Sequence, residues 1–210
     1  TSPFELLASL RESFLKSKNL STKPVNVKQA ISDLEISKSE LIYHSGSEQS
    51  GFKKIDYNPP NYLNNYQKLM RKGLNGVKPN SLRIARHRPE TIEKFKLIQS
   101  LCEPGKGLRD EHKAAIGTKK QVISVLDPKE PSRTLTTLPD DLLHYSEPRI
   151  LTVRENARIQ SFPDDFEFQG KYTTGGMRRT QECPRYTQVG NAVPPFLGEV
   201  IGQLIKGINQ

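Results

Sequence analysis

Residues 149–164 read Arg-Ile-Leu-Thr-Val-Arg-Glu-Asn-Ala-Arg-Ile-Gln-Ser-Phe-Pro-Asp, and residues 188–195 read Gln-Val-Gly-Asn-Ala-Val-Pro-Pro. In the first stretch, Thr152 followed by Glu155 makes a capping box, in which each side chain takes an orphan amide of a new helix. A short helix is therefore expected from Val153 to about Ser161, ending before Pro163. Arg154 and Arg158 are four apart and share a face. Either they pair with Glu155 on a solvated helix, worth a few tenths of a kcal/mol, or they organise a polar junction between two modules. The second stretch leads into Phe196, Leu197, Val200, Ile201, Leu204, Ile205 and Ile208, which recur at helical spacing with Glu199, Gln203 and Lys206 opposite. Pro194 and Pro195 suit its first turn, where no amide donor is needed. Gly198 and Gly202, four apart, would let another backbone approach closely.

Both stretches closely resemble the last two sequence motifs, IX and X, of the DNA cytosine-C5 methyltransferases. The resemblance is strong from Pro131 to the end, through Arg133-Thr134-Leu135-Thr136-Thr137. More loosely, Val25 to Leu34, with Ala30-Ile31-Ser32-Asp33-Leu34, is similar to the segment leading from the family's catalytic domain to its target-recognition region. The resemblance implies three parts. Residues 1–34 form a helical segment leaving the catalytic domain. Residues 35–187 form the target-recognition domain, including the motif IX helix, and residues 188–210 are motif X with a helix that packs on the catalytic domain.

It also implies S-adenosylmethionine as cofactor, with Asn191, Ala192 and Val193 helping to line its pocket. Gly190 frees the backbone there, and the Asn191 amide both donates and accepts. Without the resemblance Asn191 reads as a helix cap. Arg149, Arg154, Glu155 and Arg158 take an architectural role in motif IX. The family's nucleophile is the Cys of a Pro-Cys motif, assisted by Glu-Asn-Val and by a glycine-rich cofactor loop. Cys183-Pro184 has the reverse order, and Glu155-Asn156 continues into Ala157. No catalytic residue is therefore expected in this chain.

Composition fits a nucleic-acid partner. Among 210 residues, 32 Lys and Arg oppose 23 Asp and Glu, a net charge of +9, the electrostatic footprint of a protein that meets phosphates. Only 34% of residues are hydrophobic and Trp is absent, so a polar surface and long loops are expected. No apolar run approaches a membrane span or signal peptide, which points to a cytoplasmic, DNA-associated protein. Thr1 suggests a piece of a longer polypeptide or a processed subunit. Cys102 and Cys183 lack metal-ligand or disulfide spacing, and His44, His87, His112 and His144 are scattered, so no metal is expected.

Further elements follow from local signals. Ser2, Pro3 and Glu5 start a helix from Pro3 to Lys16 with Phe4, Leu7, Leu10, Phe14 and Leu15 on its apolar side. Asn26 caps a second over Val27 to Leu34. Between Glu35 and Asn80 the chain is polar and irregular around a helical candidate, Tyr62 to Lys72, which Gly73 and Gly76 end. Ser81 to Ser100 has helical period, with Pro89 as a break or first-turn residue. Val122–Leu126 and Arg133–Leu138 read as the arms of a hairpin with a long turn. Gln169 to Thr187 reads as loop, where Lys171, Arg178, Arg179 and Arg185 can reach phosphates or guanine edges, or stand as solvated charges.

The class expected is α/β, mixed α+β within this chain. It comprises a small recognition domain and a C-terminal helix that completes a doubly wound, S-adenosylmethionine-dependent methyltransferase domain. The function expected is DNA recognition and cofactor-site completion for C5 methylation of cytosine in restriction-modification. Its partners would be double-stranded DNA and a catalytic domain or large subunit, and the chain alone would be inactive. The alternative is a stand-alone, sequence-specific DNA-binding module; a structural protein of ribonucleoprotein assembly explains the charge but not the motifs.

Overall fold

The computed structural model describes residues 2–45, 51–173 and 181–208. The Ser2/Glu5 capping box opens helix α1, Pro3–Ser17. Asn26 and Gln29 form a second box on α2, Val27–Ile31, which tightens into a 3-10 turn over Ser32–Leu34. The first amides of α2 also have backbone partners: Val27 N donates to Glu130 O at 3.0 Å and Lys28 N to Pro128 O at 3.1 Å. That anchorage draws the 128–130 segment across the start of α2.

An antiparallel pair follows, β1 over Glu40–Tyr43 and β2 over Lys53–Asp56. Residues 82–84 add to its edge, since Ile55 N donates to Leu82 O, Ile84 N donates to Lys53 O, and Lys54 and Arg83 form a bridge. Helical period over Ser81 to Ser100 is therefore realised only in α4, Pro89–Leu101, with Pro89 in its first turn. The competing interaction was the unpaired edge of β2, invisible to local periodicity. Helix α3, Asn65–Met70, is shorter than its expected span, and α5, Asp110–Ile116, ends on Gly117 in the left-handed region at φ 66°.

The expected hairpin between Val122–Leu126 and Arg133–Leu138 does not form. Instead β3, Ser124–Val125, pairs in parallel with β4, Leu142–Leu143. The would-be second arm runs elsewhere: an added Cβ on Gly190 would lie 2.5 Å from Thr136 O, so the two backbones are in close contact. Helix α6, Val153–Ile159, is opened by the Thr152/Glu155 box. Helix α7, Arg185–Asn191, replaces the expected end of a loop, and α8, Pro195–Ile208, completes the chain. The fold is mixed α/β.

The main core gathers Val27, Ala30 and Ile31 of α2, Val153 and Ala157 of α6, Val189 of α7, and Leu126, Leu143 and Leu151 around them. A second cluster, Leu34, Ile55, Tyr57 and Leu82, fills the inner face of the β1–β2 pair. By contrast, no described side chain of α8 is fully buried. No helix among the described residues is long and apolar enough to cross a membrane.

Candidate nucleic-acid and cofactor interface

Helix α6 places its charged residues inside the protein. Arg154, Glu155 and Arg158 have no accessible surface, and Arg149 has 4%. Such groups persist only when paired and hydrogen-bonded, because burial of a lone ion is prohibitive. Each is indeed enclosed.

Arg158 donates from Nε and Nη2 to the two carboxylate oxygens of Asp164, at 2.5 and 2.6 Å. Its Nη1 and Nη2 also donate to Asp33 at 3.1 and 3.2 Å, and Nη1 donates to Ala30 O at 3.1 Å. Tyr57 donates to Asp33 at 2.7 Å, and Tyr66 to the Arg158 carbonyl. Burial alone would lower the Arg158 pKa, but Asp164 and Asp33 outweigh it and raise it. One guanidinium thus ties α2 and the 3-10 turn after it to α6 and the loop beyond.

Arg149 makes a bidentate pair with Glu155, both bonds at 2.7 Å, and donates to Glu147 at 2.7 Å. Burial opposes ionisation of both partners, yet their mutual attraction raises the Arg149 pKa and lowers that of Glu155. His144, fully buried, accepts at Nδ1 from the amides of Ser146 and Glu147, both at 3.2 Å. Its proton therefore sits on Nε2, 3.7 Å from Glu155 and without a hydrogen bond. Burial, resisted by Glu155, lowers the imidazole pKa. Arg154 is different again. It donates to Asn80 O, Asn80 Oδ1, Pro163 O and Phe166 O at 2.6–3.0 Å, with Asp164 only at 4.0 Å, and burial brings its pKa down to about 10.

The motif X segment meets the rest of the chain at a cavity of about 480 Å³. Gly190, Ala192 and Pro194 line it together with Asn26, Val27, Tyr66, and Pro131 to Leu135. Of the three residues expected at the cofactor, Ala192 lines this space, whereas Asn191 and Val193 lie on the exposed surface beside it. No carboxylate lines the cavity, and Arg133 is its charged residue. S-adenosylmethionine carries a sulfonium and an ammonium that call for acceptors, so these residues fit one wall of such a site and not the whole of it.

The cations expected at DNA separate into groups. Lys171 is exposed and pairs with Glu182 at 2.7 Å. Arg185 donates to Gly170 O at 2.8 Å and Ser81 Oγ at 3.0 Å, with its guanidinium 4.5 Å from the Tyr172 ring centre. Arg178 and Arg179 lie outside the described residues. Sequence reasoning passed over Asp33 and Asp164, which charge the Arg158 site, and Arg83, which stacks 3.8 Å from Tyr172 and 4.2 Å from Phe52. Asp164 stands inside the motif IX stretch and was within reach, six residues from Arg158. Asp33 is 125 residues away, and no local pattern links it to Arg158.

Residues 7–207 match the model of the C-5 cytosine-specific DNA methylase family, and the chain belongs to that family. Members use S-adenosylmethionine as methyl donor. Among individual proteins, type II methyltransferase M.AquIB of Picosynechococcus is 36% identical over 122 residues, 57% of this chain and 82% of that one. M.DdeI of Desulfomicrobium norvegicum is 32% identical over 200 residues, covering 90% of this chain but 45% of its own length. A crystal structure of a DNA modification methyltransferase encoded within an Escherichia coli prophage shares the fold, with a TM-score of 0.53 at 22% identity. It covers 91% of this chain and 49% of the prophage protein. The chain thus spans about half of M.DdeI and of the solved structure, and most of the shorter M.AquIB.

Proposed function

We propose that this chain supplies target recognition and the closing wall of the cofactor site to a DNA cytosine-C5 methyltransferase whose nucleophile lies outside these 210 residues. The observation that carries this reading is the apolar surface left open by α1 and α8. Phe14 meets Phe196 edge to face at 5.8 Å and Lys18 pairs with Glu199 at 2.7 Å, so the two helices hold each other. Beyond that contact Phe4, Leu197, Ile201 and Ile205 remain 82%, 46%, 38% and 55% exposed. Burying a side chain of this size contributes about 1.5–3 kcal/mol, so the surface favours a partner.

The partner that fits is the catalytic half of the same enzyme. Motif X stands beside this surface, and the cavity behind it has an incomplete set of polar groups for S-adenosylmethionine. When bound, that cofactor supplies the methyl group. Ala192, with exposed Asn191 and Val193, would form the wall on this side, and Gly190 permits the contact with Thr136 that sets it. Neither Cys102, which is buried, nor exposed Cys183 follows a proline.

Reconstitution tests the reading. The chain alone should transfer no methyl group from labelled S-adenosylmethionine to cytosine-containing duplex DNA, and adding the catalytic half should restore transfer. Methylation by the chain alone would refute it. A chain that sediments as a folded monomer and ignores the catalytic half would instead favour the stand-alone binding module.

A further inference from the structure

Arg83 and Arg185 stand together on one aromatic ring, Tyr172, and differ in their partners from the motif IX arginines. Arg149 and Arg158 have carboxylates, and Arg154 has carbonyls. Arg83 and Arg185 have no carboxylate within ion-pairing distance among the described residues, yet both are half-buried against the Tyr172 ring, and Arg185 lines a small concavity beside it. That pocket, about 160 Å³, is lined by His44, Lys54, Asp56, Lys78, Ser81, Tyr172 and Arg185 among others. Its one acid, Asp56, is occupied by Lys78 at 2.6 Å. Lys54 sits directly across the strand bridge from Arg83, an arrangement that like charges disfavour.

The cations are also held in place. Arg83 is stacked between the Phe52 and Tyr172 rings, and Arg185 lies against Tyr172 and is hydrogen-bonded to Gly170 and Ser81. Burial and the charge of Arg185 lower the Arg83 pKa. Ser81 itself adopts φ 66°, unusual for a residue with a Cβ. Arg154 fixes it there: the Arg154 amide donates to Ser81 O at 3.2 Å while its guanidinium binds both oxygens of Asn80. Strain and uncompensated charge held by a rigid frame are the properties of a preformed anion site.

We propose that Arg83, Arg185 and Lys54 form a seat for a backbone phosphate of duplex DNA, positioned from behind by Arg154. The proposal rests on the reading of the chain as a DNA-recognition element and says where on it the backbone is gripped. Arg83 and Arg185 supply directed N–H donors, Lys54 supplies a point charge, and bound phosphate relieves their mutual repulsion. Such a contact sets the register of the duplex and carries no base information.

The test is binding of a fluorescein-labelled duplex to the chain, by anisotropy, from 50 to 200 mM salt as is usual for such slopes. Lys54→Gln and Arg185→Gln should each weaken binding and make the slope of log affinity against log salt shallower by about 0.9. Lys96→Gln, outside the seat, is the control. In parallel, the Nε–H resonances of Arg83 and Arg185 in the wild-type chain should shift on adding duplex, a readout that needs no variant to fold. Unchanged slopes and resonances while duplex still binds would overturn the seat and leave DNA binding standing. Resonances that shift with inorganic phosphate but not with duplex would assign the seat to a free anion and overturn it too. Failure of the wild-type chain to bind any duplex at the lowest salt would remove the DNA-recognition reading, and the seat with it.

Discussion

Arg158→Ala is the most demanding test of the buried network. The guanidinium makes five hydrogen bonds, two to Asp164, two to Asp33 and one to the Ala30 carbonyl. Its removal leaves two carboxylates with no accessible route to solvent, since Asp33 is 3% and Asp164 1% exposed. Breaking a buried pair by deleting one partner costs about 3–5 kcal/mol; Asp33 keeps the Tyr57 hydroxyl and Asp164 keeps Arg154 at 4.0 Å, which places this variant near the middle of that range. Domains are stable by about 5–15 kcal/mol in total, so the loss is a large share. With a urea slope of about 2 kcal/mol/M, the midpoint should fall by about 2 M at pH 7. Urea melts followed by circular dichroism at pH 7 measure this. A loss under about 1 kcal/mol would refute the account of Arg158 as the tie between α2 and α6.

Acid should destabilise the wild type in a defined order. The His144 pKa is lowered from its ordinary 6.5, so below that value the unfolded chain takes up the proton first and stability falls. The slope is at most about 1.4 kcal/mol per pH unit for this group. Glu155 and Glu35, also lowered, contribute stability that is full above 4.5 and lost on further acidification. Thermal melts from pH 7.5 to 4 should show both phases, and His144→Gln should shrink the upper one, leaving the share of His87, whose pKa burial also lowers. Gly190→Ala would set a Cβ 2.5 Å from Thr136 O and 2.7 Å from its carbon, backbone atoms that cannot rotate away. It should destabilise the chain by about 1–3 kcal/mol, read in the same urea melts. Gly202→Ala has nothing within 4 Å, so it should stabilise α8 by up to about 1 kcal/mol in the isolated chain. If α8 docks on the catalytic half, Gly202→Leu should leave the melt intact and weaken assembly in sedimentation. Cys183→Ala should leave methylation by the reconstituted enzyme unchanged within twofold; a loss of activity would return this thiol to consideration as the nucleophile.

Elements announced by their own first turns were legible in sequence. The boxes at Ser2 and Thr152 and the cap at Asn26 all form, and the helices they start follow the expected spans, with α2 passing into a 3-10 turn over the last three residues of its span. A capping box is a contact over three residues, so it needs no tertiary information. Helix α7 starts after Pro184 with no side-chain cap, so its first turn carries no local signal to set it apart from a loop. The hairpin expected at Val122–Leu138 failed for a related reason: β-branched runs declare a strand but not its partner. Leu142–Leu143 won the pairing once Glu130 and Pro128 were engaged by α2. Gly198 and Gly202, which permit a close backbone approach, have nothing within 4 Å of an added Cβ among the described residues.

By itself the sequence determined the family and the position of its two motifs, because capping, helical period and the order Gly-Asn-Ala-Val-Pro-Pro are local properties of the chain. It could not rank the cations. Arg158 and Arg154 share a helix face in any reading, but whether that face meets water or Asp33, Asp164 and Asn80 depends on segments up to 125 residues away. Tertiary structure decided it, by burying motif IX with its counter-charges and leaving Arg83 and Arg185 with none among the described residues. Coulomb interactions act through space, so sequence separation carries no information about which charge is satisfied.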